Sequence, residues 1–227
     1  GTGVAVEAVV DGKPQTFHAS HLLLATGRTP NSDGLGLENV GVQVDAHGFI
    51  PTDERLATTV PGIYAAGDVI GEPMFVYTAA YEGALAVDNA LTGEARTRDY
   101  TALPWVVFTD PQVAGVGLDL AQAEAAGHDA EASTVPLSQV PRAIAARDTR
   151  GFIQLIRDRK TDHLLGARIL APEGGELLME AALAIRHGIT VRELTTAFHP
   201  YLTLSEGIKL AALSFGKDVK KLSCCAA

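Results

Sequence analysis

Cysteine is almost absent from this sequence, with two in 227 residues, which excludes the disulfide framework of small secreted proteins and favours a reducing, cytoplasmic setting. No apolar run approaches the roughly 20 residues that span a bilayer, and no signal peptide is recognisable. Basic residues are also scarce, because 18 Lys and Arg stand against 27 Asp and Glu, for a formal net charge of -9. Neither a nucleic-acid partner nor a membrane partner is therefore expected.

The two cysteines that are present stand side by side, as Cys224-Cys225, near the carboxyl end. Adjacent thiols either cycle between dithiol and disulfide or hold a soft metal ion between two thiolates. Lys217, Lys220 and Lys221 lie just upstream, and nearby positive charge favours the thiolate that both roles require. The structural alternative is a frayed tail in which the pair has no role.

The amino-terminal part has the pattern of strands that end in loops. Residues 4–10 and 15–19 flank an Asp-Gly turn and predict a β-hairpin. The short apolar runs 21–26 and 62–68 predict two fully buried strands. The second run ends in Gly-Asp, which makes Asp68 a ligand candidate at the edge of a sheet, although the dipeptide also fits a simple turn. Residues 79–91, with small residues at Ala80, Gly83, Ala84 and Ala86, predict a helix that can pack closely on a sheet.

The second half of the chain mixes strand and helix patterns. Strands are predicted within 105–117, at 151–157 and at 164–170, and helices at 118–126, at 173–187 and from a capping box at Thr190. At 47% hydrophobic, a chain of this length buries a substantial core in one or two domains.

The stretch Ala25-Thr26-Gly27-Arg28-x-Pro30-Asn31, followed by the run that ends at Gly67-Asp68, resembles the FAD domain of the pyridine nucleotide-disulfide oxidoreductases. The resemblance implies FAD and NADPH as cofactors. It implies that Asp68, with Gly67, hydrogen-bonds a ribityl hydroxyl of FAD, and that the backbone around Val76 and Tyr77 lies beside the flavin pyrimidine ring. Backbone N–H groups suit that place because reduced flavin gathers negative charge there.

The resemblance also implies a domain plan of mixed α/β and α+β class. Residues 1–29 would be the closing strands of the NAD(P)-binding domain, 30–98 the second segment of the FAD-binding domain, and 99–227 an α+β dimerisation domain with the Cys-Cys tail. Because the family builds each active site with residues from both subunits, a homodimer is implied. The chain lacks an initiator Met, and we expect it to be the carboxyl portion of a longer protein.

The segment from His199 to Glu206 departs from the family pattern. Common members have His-x-His-Pro-Thr-x-x-Glu, and alignment on Glu206 places Tyr201 where they have the catalytic histidine. A tyrosine, with an ordinary pKa of about 10, is a poor base but a usable hydrogen-bond donor or weak ligand. The structural alternatives are a half-buried aromatic at Tyr201 and a capping box formed by Thr203 and Glu206.

Tyr201 together with Cys224 and Cys225 selects, within the family, the members that reduce Hg(II) to Hg(0) with NADPH through FAD. On this hypothesis the terminal thiols bind the Hg(II) substrate and pass it to an inner cysteine pair of the partner subunit, which this chain lacks. We therefore expect the chain alone to be inactive. Two alternatives remain, a thioredoxin-reductase-like dithiol-disulfide oxidoreductase and a non-catalytic dimerisation and metal-binding module.

Overall fold

The computed structural model describes residues 3–218, which divide into two compact units between Arg98 and Asp99. Helices and strands occur in both units, as expected for a mixed α/β protein. No helix within residues 3–218 is long and apolar enough to cross a membrane. We refer to the part before the division as the first unit and the part after it as the second unit.

The first unit begins with an antiparallel hairpin, β1 (Val4–Val10) and β2 (Lys13–Ala19). Both turn residues, Asp11 and Gly12, have positive φ (51° and 75°), which gives a two-residue turn the twist of its strands. The hairpin is thereby confirmed. Its side chains are almost all exposed, so it adds little to a core.

The two buried strands predicted at 21–26 and 62–68 are wrong. Residues 21–26 form no strand, and Leu22, Leu23 and Leu24 are 49%, 87% and 74% exposed, because nothing in the described part of the chain pairs with them or covers them. Residues 62–68 make only one isolated bridge, between Tyr64 and Ala57, before a 3-10 turn at Gly67–Ile70. A strand needs hydrogen-bonding neighbours, which an apolar run by itself does not supply.

The long helix of the first unit is α2 (Val76–Thr92), preceded by the one-turn α1 (Leu37–Val40). It confirms the predicted helix, and it ends at Gly93, whose φ of 70° suits a left-handed stop. Leu85 and Ala86 pack on Leu56 to form a small core.

The second unit is built on a five-stranded antiparallel sheet. Its strands are β3 (Trp105–Val107), β4 (Gln112–Gly117), β5 (Ala130–Pro136), β6 (Phe152–Asp158) and β7 (Leu164–Ala171), in the order β3-β4-β7-β6-β5. The helices are α3 (Leu120–Ala125), α4 (Pro141–Ala146), α5 (Leu178–Arg186), α6 (Val191–Thr196) and α7 (Glu206–Leu213). The sequence missed β5 and α4 and placed the start of α5 too early, where a 3-10 turn lies instead.

Helices α5 and α7 pack on the sheet and enclose the main core with it. Ile153 and Leu155 of β6 are fully buried there, together with Ile208 of α7. Gly207 permits this close packing, because a Cβ at that position would collide with the side chain of Ile153. The result is a rigid support for the segment between α6 and α7, which carries Tyr201.

Candidate functional site

In the first unit, a hydrogen bond to a side chain of α2 holds the Gly67-Asp68 turn in place. The N–H of Gly67 donates to Oε2 of Glu82 at 2.6 Å, and Glu82 is 1% exposed within α2. Gly67 has a φ of 80°, and a Cβ there would lie 3.1 Å from Cβ of Ala79, so glycine is required. Sequence reasoning missed Glu82, whose only signal is a carboxylate inside a helix of small residues.

Asp68 projects from this turn into a cleft of about 460 Å³, lined by residues 28–31 and by Asp68, Val69 and Met74. Its carboxylate lies 3.5 Å from Nε of Arg28, and the two side chains are 48% and 62% exposed. Arg28 also donates to the carbonyl of Met74 at 3.2 Å. The structure thus brings together the two sequence motifs, Arg28–Asn31 and Gly67-Asp68, and leaves the carboxylate accessible.

The amino end of α2 adds backbone donors close to this turn in sequence. Val76 and Tyr77 occupy its first turn, in which N–H groups point away from the helix body and carry partial positive charge. Val76 is 89% exposed, and the ring of Tyr77 stacks on Phe75 with centroids 5.1 Å apart. Burial raises the pKa of the Tyr77 phenol, so this group stays neutral at physiological pH.

In the second unit, Tyr201 stands on an exposed turn between α6 and α7. It is 60% exposed, and Phe198, three residues earlier, is fully exposed. The turn is closed by the Thr203 hydroxyl, which donates to the carbonyl of Pro200 at 2.8 Å. Tyr201 is therefore presented outward on an ordered segment, not half-buried as the structural alternative required.

His199 anchors this segment to α5. Its Nε2 lies 2.6 Å from Oε1 of Glu180, and its Nδ1 lies 3.3 Å from the carbonyl of Ala197, with the imidazole side chain only 6% exposed. The same carbonyl accepts from Nζ of Lys209 at 3.3 Å. Both ring nitrogens face oxygen atoms, and these two contacts hold the imidazole between α5 and the end of α6. Glu180 carried no signal in the sequence.

Glu206 opens α7, and its side chain is the unusual feature of the helix start. Its N–H donates to Oγ1 of Thr203 at 3.3 Å, which is half of the predicted capping box. Its Oε2 is buried and has no hydrogen-bond partner among residues 3–218, and no hydrogen bond joins it to Tyr201 there. A buried oxygen without a hydrogen-bond donor costs free energy. Glu206 is therefore a residue whose side chain a further hydrogen-bond donor would stabilise.

The remaining site residues, Cys224 and Cys225, lie outside the described residues. Within residues 3–218, no group of three or more His, Cys, Asp or Glu side chains could hold a metal ion. The roles assigned from the sequence to Gly67, Asp68, Val76 and Tyr77, and to Tyr201 and Glu206, therefore stay predictions.

Two family models match the chain. The model described as pyridine nucleotide-disulphide oxidoreductase matches residues 1–83, and the model described as pyridine nucleotide-disulphide oxidoreductase, dimerisation domain, matches residues 103–212. Together they cover most of the chain, with the second model lying within the second unit.

Among curated proteins, the chain is 50% identical over 226 residues to a mercuric reductase of Streptomyces lividans, covering 100% of the chain and 48% of that protein. It is 45% identical to a mercuric reductase of Staphylococcus aureus, covering 100% of the chain and 41% of that protein. The chain thus spans about half the length of these relatives or less.

Among solved structures, LpdA from Mycobacterium tuberculosis superposes with a TM-score of 0.82 at 30% identity, covering 95% of the chain and 49% of that structure. The HOCl-induced flavoprotein disulfide reductase RclA from Escherichia coli gives 0.77 at 29% identity, covering 89% and 48%.

Proposed function

Because the chain belongs to the pyridine nucleotide-disulphide oxidoreductase family, we propose that it is the carboxyl-terminal half of a mercury(II) reductase. The reaction takes two electrons and a proton from NADPH, yields Hg(0) and NADP⁺, and releases the proton. The observation that carries this proposal is the likeness, along the whole chain, to proteins named mercuric reductase. Tyr201, in place of the family histidine, supports it, since passing a metal ion between thiolates needs no imidazole base.

The first unit fits FAD, which when bound supplies the two-electron chemistry. Asp68 offers an accessible carboxylate that can accept from a ribityl hydroxyl, and Glu82 holds the Gly67 backbone beneath it. The first turn of α2, at Val76 and Tyr77, offers N–H donors of the kind that stabilise negative charge. The same proposal assigns residues 1–29 to the NAD(P)-binding domain, 30–98 to the FAD-binding domain and 99–227 to the dimerisation domain.

The second unit would receive the metal ion. Cys224 and Cys225 take Hg(II) by exchange, in which each new Hg–S bond replaces a bond to a carrier thiol and no electron moves. The ion then passes to an inner cysteine pair of the partner subunit. Tyr201, exposed on its turn, is placed to donate a hydrogen bond or act as a weak ligand, and the buried Oε2 of Glu206 awaits a donor.

This arrangement requires a homodimer. The matched dimerisation-domain model covers residues 103–212, and exposed apolar side chains lie on this unit at Phe198, Tyr201 and Leu202 and, on one face of α5, at Met179 and Leu183. Exposed apolar surface of this kind is typical of protein interfaces. We propose that the second copy covers it.

The proposal is tested by joining this chain to the amino-terminal half of the Streptomyces lividans relative and measuring NADPH oxidation and Hg(0) release. We expect Hg(II)-dependent oxidation by the joined protein and none by the 227-residue chain alone. Cys224→Ser with Cys225→Ser should reduce turnover strongly at limiting Hg(II), while Glu124→Gln, an exposed change in α3, should have no effect. Activity of the chain alone, or an FAD-loaded joined protein that ignores Hg(II), would contradict the proposal.

A second candidate function is disulfide reduction, which the contact between His199 and Glu180 favours because a histidine beside a carboxylate is the kind of acid/base group that dithiol-disulfide exchange uses. Tyr201→His separates the two functions. If the protein is a disulfide reductase, the unchanged joined protein should already reduce a disulfide substrate. If it is a mercury reductase, only the variant should gain that activity, and Hg(II) turnover should fall.

A further inference from the structure

A cleft of about 890 Å³ lies in the second unit, lined in part by α6 and α7, the helices that precede and follow the Tyr201 turn. The β6–β7 turn, the beginning of α6 and the end of α7 form its walls. Five cationic side chains line it against two acidic ones, in a chain whose formal net charge is -9. The cations are Arg157, Arg159, Lys160, Arg192 and Lys217, and the acids are Asp162 and Glu193.

The two acids are already engaged in holding the fold. Asp162 accepts from Arg157 at 2.9 Å and from the N–H of Arg192 at 2.9 Å. Glu193 accepts from the N–H of Thr190 at 2.8 Å and from its hydroxyl at 2.7 Å. The backbone hydrogen bond from Thr190 lowers the pKa of Glu193, which therefore stays ionised in this structural role.

The five cations differ in whether they form salt bridges. Arg157 and Arg159 are paired with acidic side chains, and the other three are not paired with any residue between 3 and 218. Arg157 is held by Glu131 at 2.8 Å and lies over the ring of Phe215, 4.4 Å from its centroid. Lys160, Arg192 and Lys217 are exposed, and their side chains make no ion pair with any residue between 3 and 218. Three cationic side chains without a salt-bridge partner among residues 3–218 therefore line the concave surface, against the carboxylate of Glu193, whose hydrogen bonds come from the neutral Thr190. This excess of positive charge is the arrangement that attracts and holds small anions.

We propose that this cleft binds small polycarboxylate anions, and that carboxylate-bearing thiols are the carriers from which the protein takes Hg(II). The first part depends only on the cleft, and the second rests on the proposed function. Hg(II) is soft and travels bound to thiols, so a carrier with carboxylates is an anionic complex. Lys217 precedes Cys224 by seven residues, and covalent geometry keeps them within about 25 Å of each other.

Titration of the 227-residue chain with citrate at low ionic strength tests the cleft. We expect saturable binding at one site that weakens as salt is added, and no binding of the neutral trimethyl ester. Lys160→Gln and Arg192→Gln should each weaken citrate binding about three- to fivefold, as loss of one exposed ion pair does. Arg142→Gln, an exposed change in α4, is the matched control and should bind like the unchanged chain. The proposed site would be wrong if citrate binding did not saturate, or if Arg142→Gln weakened citrate binding as much as Lys160→Gln and Arg192→Gln do.

The carrier is tested in the joined protein. We compare kcat/KM for Hg(II) supplied with 2-mercaptoethanol, which is neutral, and with mercaptosuccinate, which carries two carboxylates. The anionic carrier should be preferred, and Lys160→Gln with Arg192→Gln should abolish the preference. Hg(II) turnover without any preference would refute the carrier assignment. Citrate binding without Hg(II) turnover would refute the proposed function and leave the anion site standing.

Discussion

The two units differ in how completely they bury their own apolar side chains. The second unit encloses a continuous core between its sheet and helices α5 and α7, whereas the buried apolar cluster of the first unit consists of Leu56, Leu85 and Ala86 with Tyr64 and Ile70 beside them. Leu22, Leu23 and Leu24 of the first unit stay exposed. An apolar pattern in the sequence therefore predicts burial in the second unit but not in the first, because apolar side chains are buried only where another surface packs on them.

The largest effect should come from one substitution made in both units. Leu155→Ala removes a fully buried side chain from β6 and should lower the free energy of unfolding by about 2–5 kcal/mol. Leu23→Ala should change it by no more than about 0.5 kcal/mol. Urea denaturation followed by circular dichroism measures both, and the single Trp, Trp105 in β3, reports on the second unit. If both substitutions lowered the free energy of unfolding equally, the two units would not differ in how they bury leucine.

A smaller effect should follow from Glu82, the buried anchor of the first unit. Glu82→Met leaves the N–H of Gly67 buried without its acceptor, which should cost about 1–3 kcal/mol. Glu82→Gln keeps an oxygen in place and should cost less. Amide hydrogen exchange at Gly67 is the measurement, and the contact is structurally unimportant if Met and Gln exchange alike.

A dependence of stability on acidic pH is expected in the second unit. The hydrogen bond from His128, 3.0 Å away, lowers the pKa of Asp158 below the ordinary value of about 3.9. Its stabilising contribution is therefore complete above about pH 4 and is lost as pH falls through the lowered pKa. Between pH 5 and pH 2, stability measured by Trp105 fluorescence should fall less in Asp158→Asn than in the unchanged chain. Glu124→Gln should leave the pH dependence unaltered.

The smallest effect is expected for the ion pair at the candidate FAD cleft. Arg28 and Asp68 are about half exposed, and such pairs contribute little to stability. Arg28→Gln should change the free energy of unfolding by less than about 0.5 kcal/mol in urea denaturation. A loss above about 1 kcal/mol would mean that the pair maintains the cleft.

Prediction from sequence succeeded where a pattern was local. The hairpin at residues 4–19 and helix α2 were predictable because the turn residues and the spacing of small residues lie within the element itself. Strand β5 was missed because, with its neighbours unknown, its mixed small and polar residues do not alternate clearly.

Candidate site residues, too, could be predicted where the motif is local and were missed where the partner is distant in sequence. Gly67 and Asp68 could be chosen from a short motif, but Glu82 lies fifteen residues away and meets Gly67 only in the fold. His199 and Glu180 are likewise joined across nineteen residues. Neither partner is marked by its neighbours in sequence, so only the folded chain reveals them.

The exposed leucines of the first unit also bear on how the chain behaves in concentrated solution. The window His21–Thr26 has no Asp, Glu, Lys, Arg or Pro, and it leaves three large apolar side chains uncovered. Such a window is a template for strand pairing between molecules and hence for aggregation. The light scattered per unit concentration should therefore rise with protein concentration, and Leu23→Lys should suppress that rise.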